Sequence, residues 1–318
     1  MHNIVFLDSA TISESINYAL PSIPHTWRSY QHTGVGDIIE KAYDASIIVN
    51  NKVKLDADML QQLPNLQHVA ITATGTNCID VDAAKQQNIT VSNVPNYSTS
   101  SVAEHVMAVL LGLRRNLFMY HQDIRNGCWQ DSQQFCFHNQ PIKELVGSTL
   151  GLIGTGAIAQ QVASFVKAFG MQVQFHSVSG RENFDKGNLV SLDVLLSSSD
   201  IISVHCPLTT HTEHLLGERE MHKMKASAIL INTSRGQIVD LEALLNALET
   251  HTIAGAAIDV APNEPPLLHD PIMKLNDLST CIVTPHSAWA STQAQQRLMS
   301  EVIANIEAFA QNNARNLV

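Results

Sequence analysis

The chain has 318 residues, 45% hydrophobic and 15% charged, with 19 Lys and Arg against 29 Asp and Glu, for a net charge of −10. That apolar share excludes an intrinsically disordered chain, and the scattered basic residues exclude the clustered cationic surface that nucleic acid demands. A chain beyond ~250 residues divides into more than one core, so two domains are expected.

The opening "NIVFLD" reads as a strand with no basic leader before it, and no apolar run approaches the ~18 residues of a membrane span. A cytoplasmic protein without a membrane partner is expected. Cys78, Cys128, Cys136, Cys206 and Cys281 are odd in number and contain no C-x-x-C pair, which predicts free thiols and no metal site.

In chain order, "NIVFLD", "ASIIVNN", "LQHVAIT" and "NITVSNV" are strand candidates. The helical stretches "LDADMLQQLP" and "DVDAAKQQ" lie between them, so the first hundred residues form an open α/β sheet of their own. "STSSVAEHVMAVLLGLRRN" begins with Ser and Thr caps and stays apolar over several turns, which predicts one long helix able to act as a strut between domains. After the irregular "GCWQDSQQFCFHNQPIKELVG" comes a second strand series: "TLGLIG", "MQVQFHS", "DIISVHC", "SAILINTS", "AGAAIDV" and "TCIVTP". These runs are continuously apolar, as in parallel sheets covered by helices on both faces. A last helix, roughly 289 to 312, follows the final strand.

"TLGLIGTGAIAQQVASFVKAFGMQVQFHS" places Gly154, Gly156 and Ala159 in a G-x-G-x-x-A pattern between a strand and a helix that leads into another strand. Gly154 permits the tight turn, Gly156 lets the backbone approach a pyrophosphate, and Ala159 allows close helix–strand packing. The helix start, with Ala157 and Ile158, offers unpaired N–H groups to the phosphates. The acidic residue that usually binds the ribose, about 20 residues further on, is replaced by Ser177. With Ser179 and Arg181 nearby, the chain is open to either NAD or NADP.

Three segments, "INTSRG", "AIDVAPNEPP" and "TPHSAW", resemble the signatures of the D-isomer-specific 2-hydroxyacid dehydrogenases. "ATGTNCIDVDAA", "VSNVPNYSTSSVAEH", "WQDSQQFCF" and "SVHCPLTTHTEHLLG" are similar to its glycerate dehydrogenase and hydroxypyruvate reductase subgroup. The resemblance implies two doubly wound parallel-sheet domains, with a Rossmann cofactor domain (99–286) inserted in a flavodoxin-like substrate domain (1–98 and 287–318). It implies a homodimer joined through the cofactor domain, and an enzyme that moves a hydride to a small 2-oxo acid such as hydroxypyruvate or glyoxylate. A corepressor-like nucleotide sensor on the same fold is the alternative.

The implied catalytic set is Arg235, Glu264 and His286. An imidazole with its ordinary pKa of ~6.5 is mostly neutral at neutral pH, and a carboxylate beside it favours the protonated form. His286 is then the proton donor to the nascent alkoxide, Glu264 its partner, and Arg235 the planar fork for the substrate carboxylate. The resemblance also implies cofactor contacts from Cys206, Pro207, Thr212, Thr233, Ser234 and Asp259. It implies substrate contacts from Thr74, Gly75, Thr76 and Asn51, with Asn50 beside it as a further candidate. Trp289 either walls the site from water or simply packs. The cleft is expected to close over the acid.

Overall fold

The computed structural model describes all of the 318 residues except 181–183. Arg181, one of the residues expected at the cofactor ribose, lies outside the described residues. The chain packs as two compact units, Met1–Ser98 with Ala290–Val318, and Thr99–Trp289 between them. The second unit is thus an insertion in the first.

The first unit is a parallel sheet of five strands, β1 (His2–Phe6), β2 (His25–Ser29), β3 (Ile47–Asn50), β4 (His68–Ile71) and β5 (Thr90–Ser92). Their order is β2-β1-β3-β4-β5, the flavodoxin-like arrangement with its switch point between β1 and β3. β3 and β4 are buried along their whole length. The C-terminal helix Thr292–Ala310 belongs to this unit, capped by the Ser291 side chain, and it stacks the Phe309 ring on buried His68 at 4.5 Å. His68 is held on its other sides by Thr90 Oγ1 at 2.8 Å and Ser92 Oγ at 3.0 Å.

The second unit is a seven-stranded parallel sheet of β6 (Thr149–Ile153), β7 (Gln172–His176), β8 (Asn188–Leu189), β9 (Ile201–Val204), β10 (Ile229–Asn232), β11 (Gly255–Ile258) and β12 (Cys281–Val283). The order β12-β11-β10-β9-β6-β7-β8 is the doubly wound Rossmann arrangement, with the switch point between β6 and β9. Successive side chains of a strand point to opposite faces, and here each face has its own core. Ile201, Ile229, Ile231 and Ala257 pack with Val106 and Leu110 of the helix Thr99–Arg114 and with Ala159 and Val162 of the helix Ala157–Ala168. Ile202, Leu230, Ala256 and Ile258 pack on the opposite side with Leu195, Leu244 and Leu248. Two apolar faces per strand are the physical reason for the uninterrupted hydrophobic runs.

The structure adds elements that the sequence pattern did not announce. β2, "HTWRS", is an edge strand with a mostly half-exposed surface, so it carries no apolar run. β8 is a two-residue edge strand. The stretch read as irregular contains the short helix Cys128–Ser132, and the helix Leu117–Arg125 precedes it.

Candidate active site

The glycine turn follows β6 at the switch point. Gly154 has φ +117°, a conformation that side chains rarely adopt, and a Cβ there would lie 2.5 Å from the His205 carbonyl oxygen in the loop after β9. The turn is therefore pressed against its neighbour across the crevice. It is fixed further by the Gly154 amide, which donates to the His176 carbonyl at 2.8 Å. Gly156 is different. It occupies the N-cap of the helix Ala157–Ala168 with an ordinary extended backbone and no side-chain cap, and a Cβ there would meet no protein atom within 4 Å. The amides of Ala157 and Ile158 open this helix, while Ala159 is fully buried against the sheet.

The loops after β9 and β10 are joined by Ser234 Oγ, which donates to the Cys206 carbonyl at 2.5 Å. Pro207 is exposed beside Cys206. Thr212 is buried, and its hydroxyl is spent on the Pro207 carbonyl at 2.7 Å and the Thr209 amide at 2.7 Å, so it ties its own loop. Thr233 Oγ1 is buried and has no hydrogen-bond partner among the described residues. Ser177, just past the end of β7, lies 3.3 Å from Ser179, hydroxyl to hydroxyl.

The three expected catalytic residues stand in the loops that follow three adjacent strands: Arg235 after β10, Glu264 after β11 and His286 after β12. His286 Nδ1 is 2.7 Å from Glu264 Oε2, with 24% and 30% of the two side chains exposed. The other Glu264 oxygen accepts from the Ala261 amide at 3.1 Å, which fixes the carboxylate in orientation. The Arg235 guanidinium donates through Nη1 to the Ser234 carbonyl at 2.7 Å, and its own carbonyl accepts from Asn232 Nδ2 at 2.9 Å. Gly236 has a steric reason to follow it. A Cβ there would lie 2.1 Å from the Ala261 carbonyl carbon, so the Arg235 loop packs backbone to backbone on the loop that leads to Glu264. Gln237 reinforces the contact by donating to the Pro262 carbonyl at 2.9 Å.

Asp259, 2% exposed, caps the end of β11. Its Oδ1 accepts from Thr284 Oγ1 at 2.5 Å and the Ser287 amide at 2.9 Å, and its Oδ2 accepts from the Ala288 amide at 3.0 Å. The carboxylate is thereby committed to the loop that carries His286, through partners 25 to 29 residues away in the chain. His286 itself sits in the left-handed region, φ +52°, and its amide donates to the Asp259 carbonyl at 2.7 Å. Trp289 is half-buried at the end of this segment.

The remaining expected contacts belong to the first unit. Thr74 is exposed and anchored to the Val94 carbonyl at 2.8 Å, and Gly75 and Thr76 are half-buried in the loop after β4. Asn51 is held in the loop after β3 by its amide, which donates to Asp8. Asn50 is fully buried, and its side chain is spent on the Val53 backbone at 2.8 and 3.1 Å. It is a turn residue and not one that faces outward. Asp8, which sequence reading passed over, accepts from the Asn51 and Lys52 amides; burial pushes its carboxyl up from the ordinary value. All five cysteines are free, and burial pushes the Cys206 thiol up to about 11 and the Cys281 thiol to about 12.

The sequence pattern of the "D-isomer specific 2-hydroxyacid dehydrogenase, NAD binding domain" matches residues 107–288. The chain belongs to the D-isomer-specific 2-hydroxyacid dehydrogenases. Its relatives include the glycerate dehydrogenase of Methylorubrum extorquens, 42% identical over 99% of this chain and 98% of that one. The hydroxypyruvate reductase of Blautia hydrogenotrophica is 34% identical over 90% of this chain and 88% of its own. Among solved structures, an acyclic imino acid reductase in complex with NADPH and D-Arg superposes with a TM-score of 0.85 at 29% identity, over 99% of both chains.

The residues of this dehydrogenase fit a nicotinamide dinucleotide on their own chemistry. The space a Gly156 side chain would fill is open at a helix N-terminus, whose amides suit a pyrophosphate. The buried Thr233 hydroxyl awaits a polar partner. The dehydrogenase is a nicotinamide-dependent oxidoreductase.

Proposed function

We propose that this dehydrogenase reduces hydroxypyruvate and glyoxylate, and in reverse oxidises D-glycerate. The observation that carries this reading is the 2.7 Å pair of His286 and Glu264 on loops adjacent to that of Arg235, all at the C-terminal ends of neighbouring parallel strands. The names of the two relatives support the choice of acid.

The bound reduced cofactor supplies the hydride. Arg235 binds the substrate carboxylate and polarises the carbonyl through its planar fork. His286 delivers a proton from Nε2 to the oxygen that becomes the hydroxyl, while Glu264 holds Nδ1 and compensates the charge of the imidazolium. In oxidation the neutral imidazole takes that proton back. Gly75 and Thr76 supply amides to the carboxylate, and Asn51, Thr74 and Trp289 complete the substrate contacts.

The ribose edge supports acceptance of NADPH as well as NADH, since Ser177 stands in place of a carboxylate that would repel a 2′-phosphate, with the Ser179 hydroxyl 3.3 Å from it. The assembly is a homodimer, with the segment from Leu117 to Val146 as its interface. Leu117, Phe118, Trp129, Phe135 and Val146 are all exposed there, an apolar surface of the kind that a partner covers.

The experiment is a steady-state comparison of NADH and NADPH across a panel of 2-oxo acids, repeated with His286→Ala. Turnover of hydroxypyruvate should fall on the order of a hundredfold to ten-thousandfold in the variant, with cofactor binding retained. Undiminished turnover in that variant, or none by the unmodified protein with any acid of the panel, refutes the reading.

A further inference from the structure

The loop that carries His286 is gripped from a second side. Ser101 and His105 lie four residues apart on the helix Thr99–Arg114, hence on one face of it. Ser101 Oγ donates to the Ala288 carbonyl at 2.7 Å, and His105 Nε2 lies 3.3 Å from Thr284 Oγ1. The helix therefore touches the loop at both ends, at 284 and at 288, with His286 midway. The direction of the hydrogen bonds follows from what each atom is able to do. Both Asp259 oxygens already accept backbone amides, so Thr284 gives its single proton to Oδ1 at 2.5 Å. The threonine oxygen then has only lone pairs to offer to His105, which meets it with an Nε2–H. His105 and Thr284 thus donate in one direction toward Asp259 Oδ1, where the Ser287 amide donates from the other side and the chain ends. The His105 ring is also 3.9 Å from Asp259 Oδ1, and the Asp259 side chain is 1% exposed.

We infer that His105 is a positioning residue for proton transfer: acting through Thr284, it fixes the Asp259 knot that holds the His286 loop in its left-handed turn. The inference rests on the proposed role of His286 as the proton donor. Without the His105 donor, the threonine hydroxyl is free to rotate away from Asp259. The carboxylate then loses one of three donors, and the imidazole loses the fixed seat that its reach to the substrate oxygen requires. The glycine turn that follows β6 has no member in this arrangement, and Asp259, expected at the cofactor, keeps both amide donors in the variants, so cofactor affinity is a separate readout.

The test compares His105→Phe, which keeps the ring volume but removes the donor, with His105→Gln, whose side-chain amide places an N–H near the position of Nε2. In His105→Phe, kcat for hydroxypyruvate reduction should fall on the order of ten- to a hundredfold, as small misplacements of a reacting group do, while the Kd for reduced cofactor stays within about twofold of the unmodified value. His105→Gln should recover most of the lost kcat. If His105→Phe does not fold, His105→Asn serves in its place, because its amide is too short to reach Thr284. Thr284→Val should depress kcat in the same way, and the double variant should be no worse than Thr284→Val alone. Unchanged kcat in His105→Phe or His105→Asn overturns the inference, as do equal losses in His105→Gln and additive losses in the double variant. Failure of the underlying reading looks different: His286→Ala would then keep its turnover, whatever His105 does.

Discussion

The two glycines of the cofactor turn should respond in opposite ways to the same methyl group. At Gly154 an alanine must adopt φ +117° and place its Cβ 2.5 Å from the His205 carbonyl oxygen and 2.7 Å from its carbon. The left-handed backbone costs about 1–2 kcal/mol, and forcing an atom into a packed site costs about 1–3 kcal/mol more. Gly154→Ala should therefore destabilise the protein by about 2–5 kcal/mol, because His205 presents rigid backbone and not a movable side chain. At Gly156 the backbone is already compatible with alanine and the Cβ meets nothing. The stability cost is then confined to the N-cap preference, about 1 kcal/mol or less. The new methyl group occupies the space proposed for the pyrophosphate, so Gly156→Ala should weaken cofactor binding at least about tenfold, the equivalent of 1.4 kcal/mol. Urea unfolding followed by circular dichroism reads the first effect, and titration of cofactor fluorescence reads the second. If Gly156→Ala binds cofactor like the unmodified protein, or if Gly154→Ala unfolds at the same urea concentration, the division of labour between the two glycines is wrong.

Other substitutions separate the roles at the catalytic end. Arg235→Lys keeps the charge but loses the planar fork, so KM for hydroxypyruvate should rise on the order of tenfold or more while cofactor Kd is unchanged; an unaltered KM would remove Arg235 from the carboxylate. Glu264→Gln keeps the shape of the partner at 2.7 Å from His286 but removes its charge. In that variant kcat for reduction should drop about ten- to a hundredfold, measured with saturating cofactor, and a kcat equal to that of the unmodified enzyme would dismiss the pair as structural. A pH effect on stability comes from His68, which burial lowers from 6.5 to about 4. Between those values the unfolded chain binds a proton that the folded one does not. Its stability contribution is therefore whole above pH 6.5, declines on the order of 1 kcal/mol per pH unit below it, and levels off near pH 4. Urea midpoints that stay flat from pH 7.5 to 5 would contradict this.

The sequence carried the frame of the molecule wherever a physical requirement acts on consecutive residues. β9 and β10 each need apolar side chains toward both cores, and the turn at Gly154 and Gly156 needs two small residues within three positions, so both stand out in a linear reading. Arg235, Glu264 and His286 stood out through the family resemblance of the short segments that carry them, each next to a strand end. What stayed hidden depends on partners distant in sequence or on the absence of burial. The His105 to Thr284 contact spans 179 residues, and a single histidine on a helix has no periodic signal. β2 lies at an edge and has little apolar surface to show. Asn50, a substrate candidate by its place at a strand end, and Thr212, a cofactor candidate by family resemblance, both spend side-chain hydrogen bonds on neighbouring backbone, which a linear reading does not show. Asp8 looked like an ordinary strand terminus, and its grip on two amides of the Asn51 loop becomes visible only when β1 and β3 are placed side by side.

The switch point between β6 and β9 also bears on how such an enzyme changes over generations. The glycine turn and Ser177 lie on one flank of the sheet, after β6 and β7, while His286, Glu264 and Arg235 lie on the other, after β12, β11 and β10. Inheritance therefore acts on the ribose end of the coenzyme through loops that Arg235, Glu264 and His286 do not share, while the loops after β10 and β11 also carry Thr233 and Asp259. A lineage is free to exchange one ribose substituent for another without retuning the residues at the opposite flank.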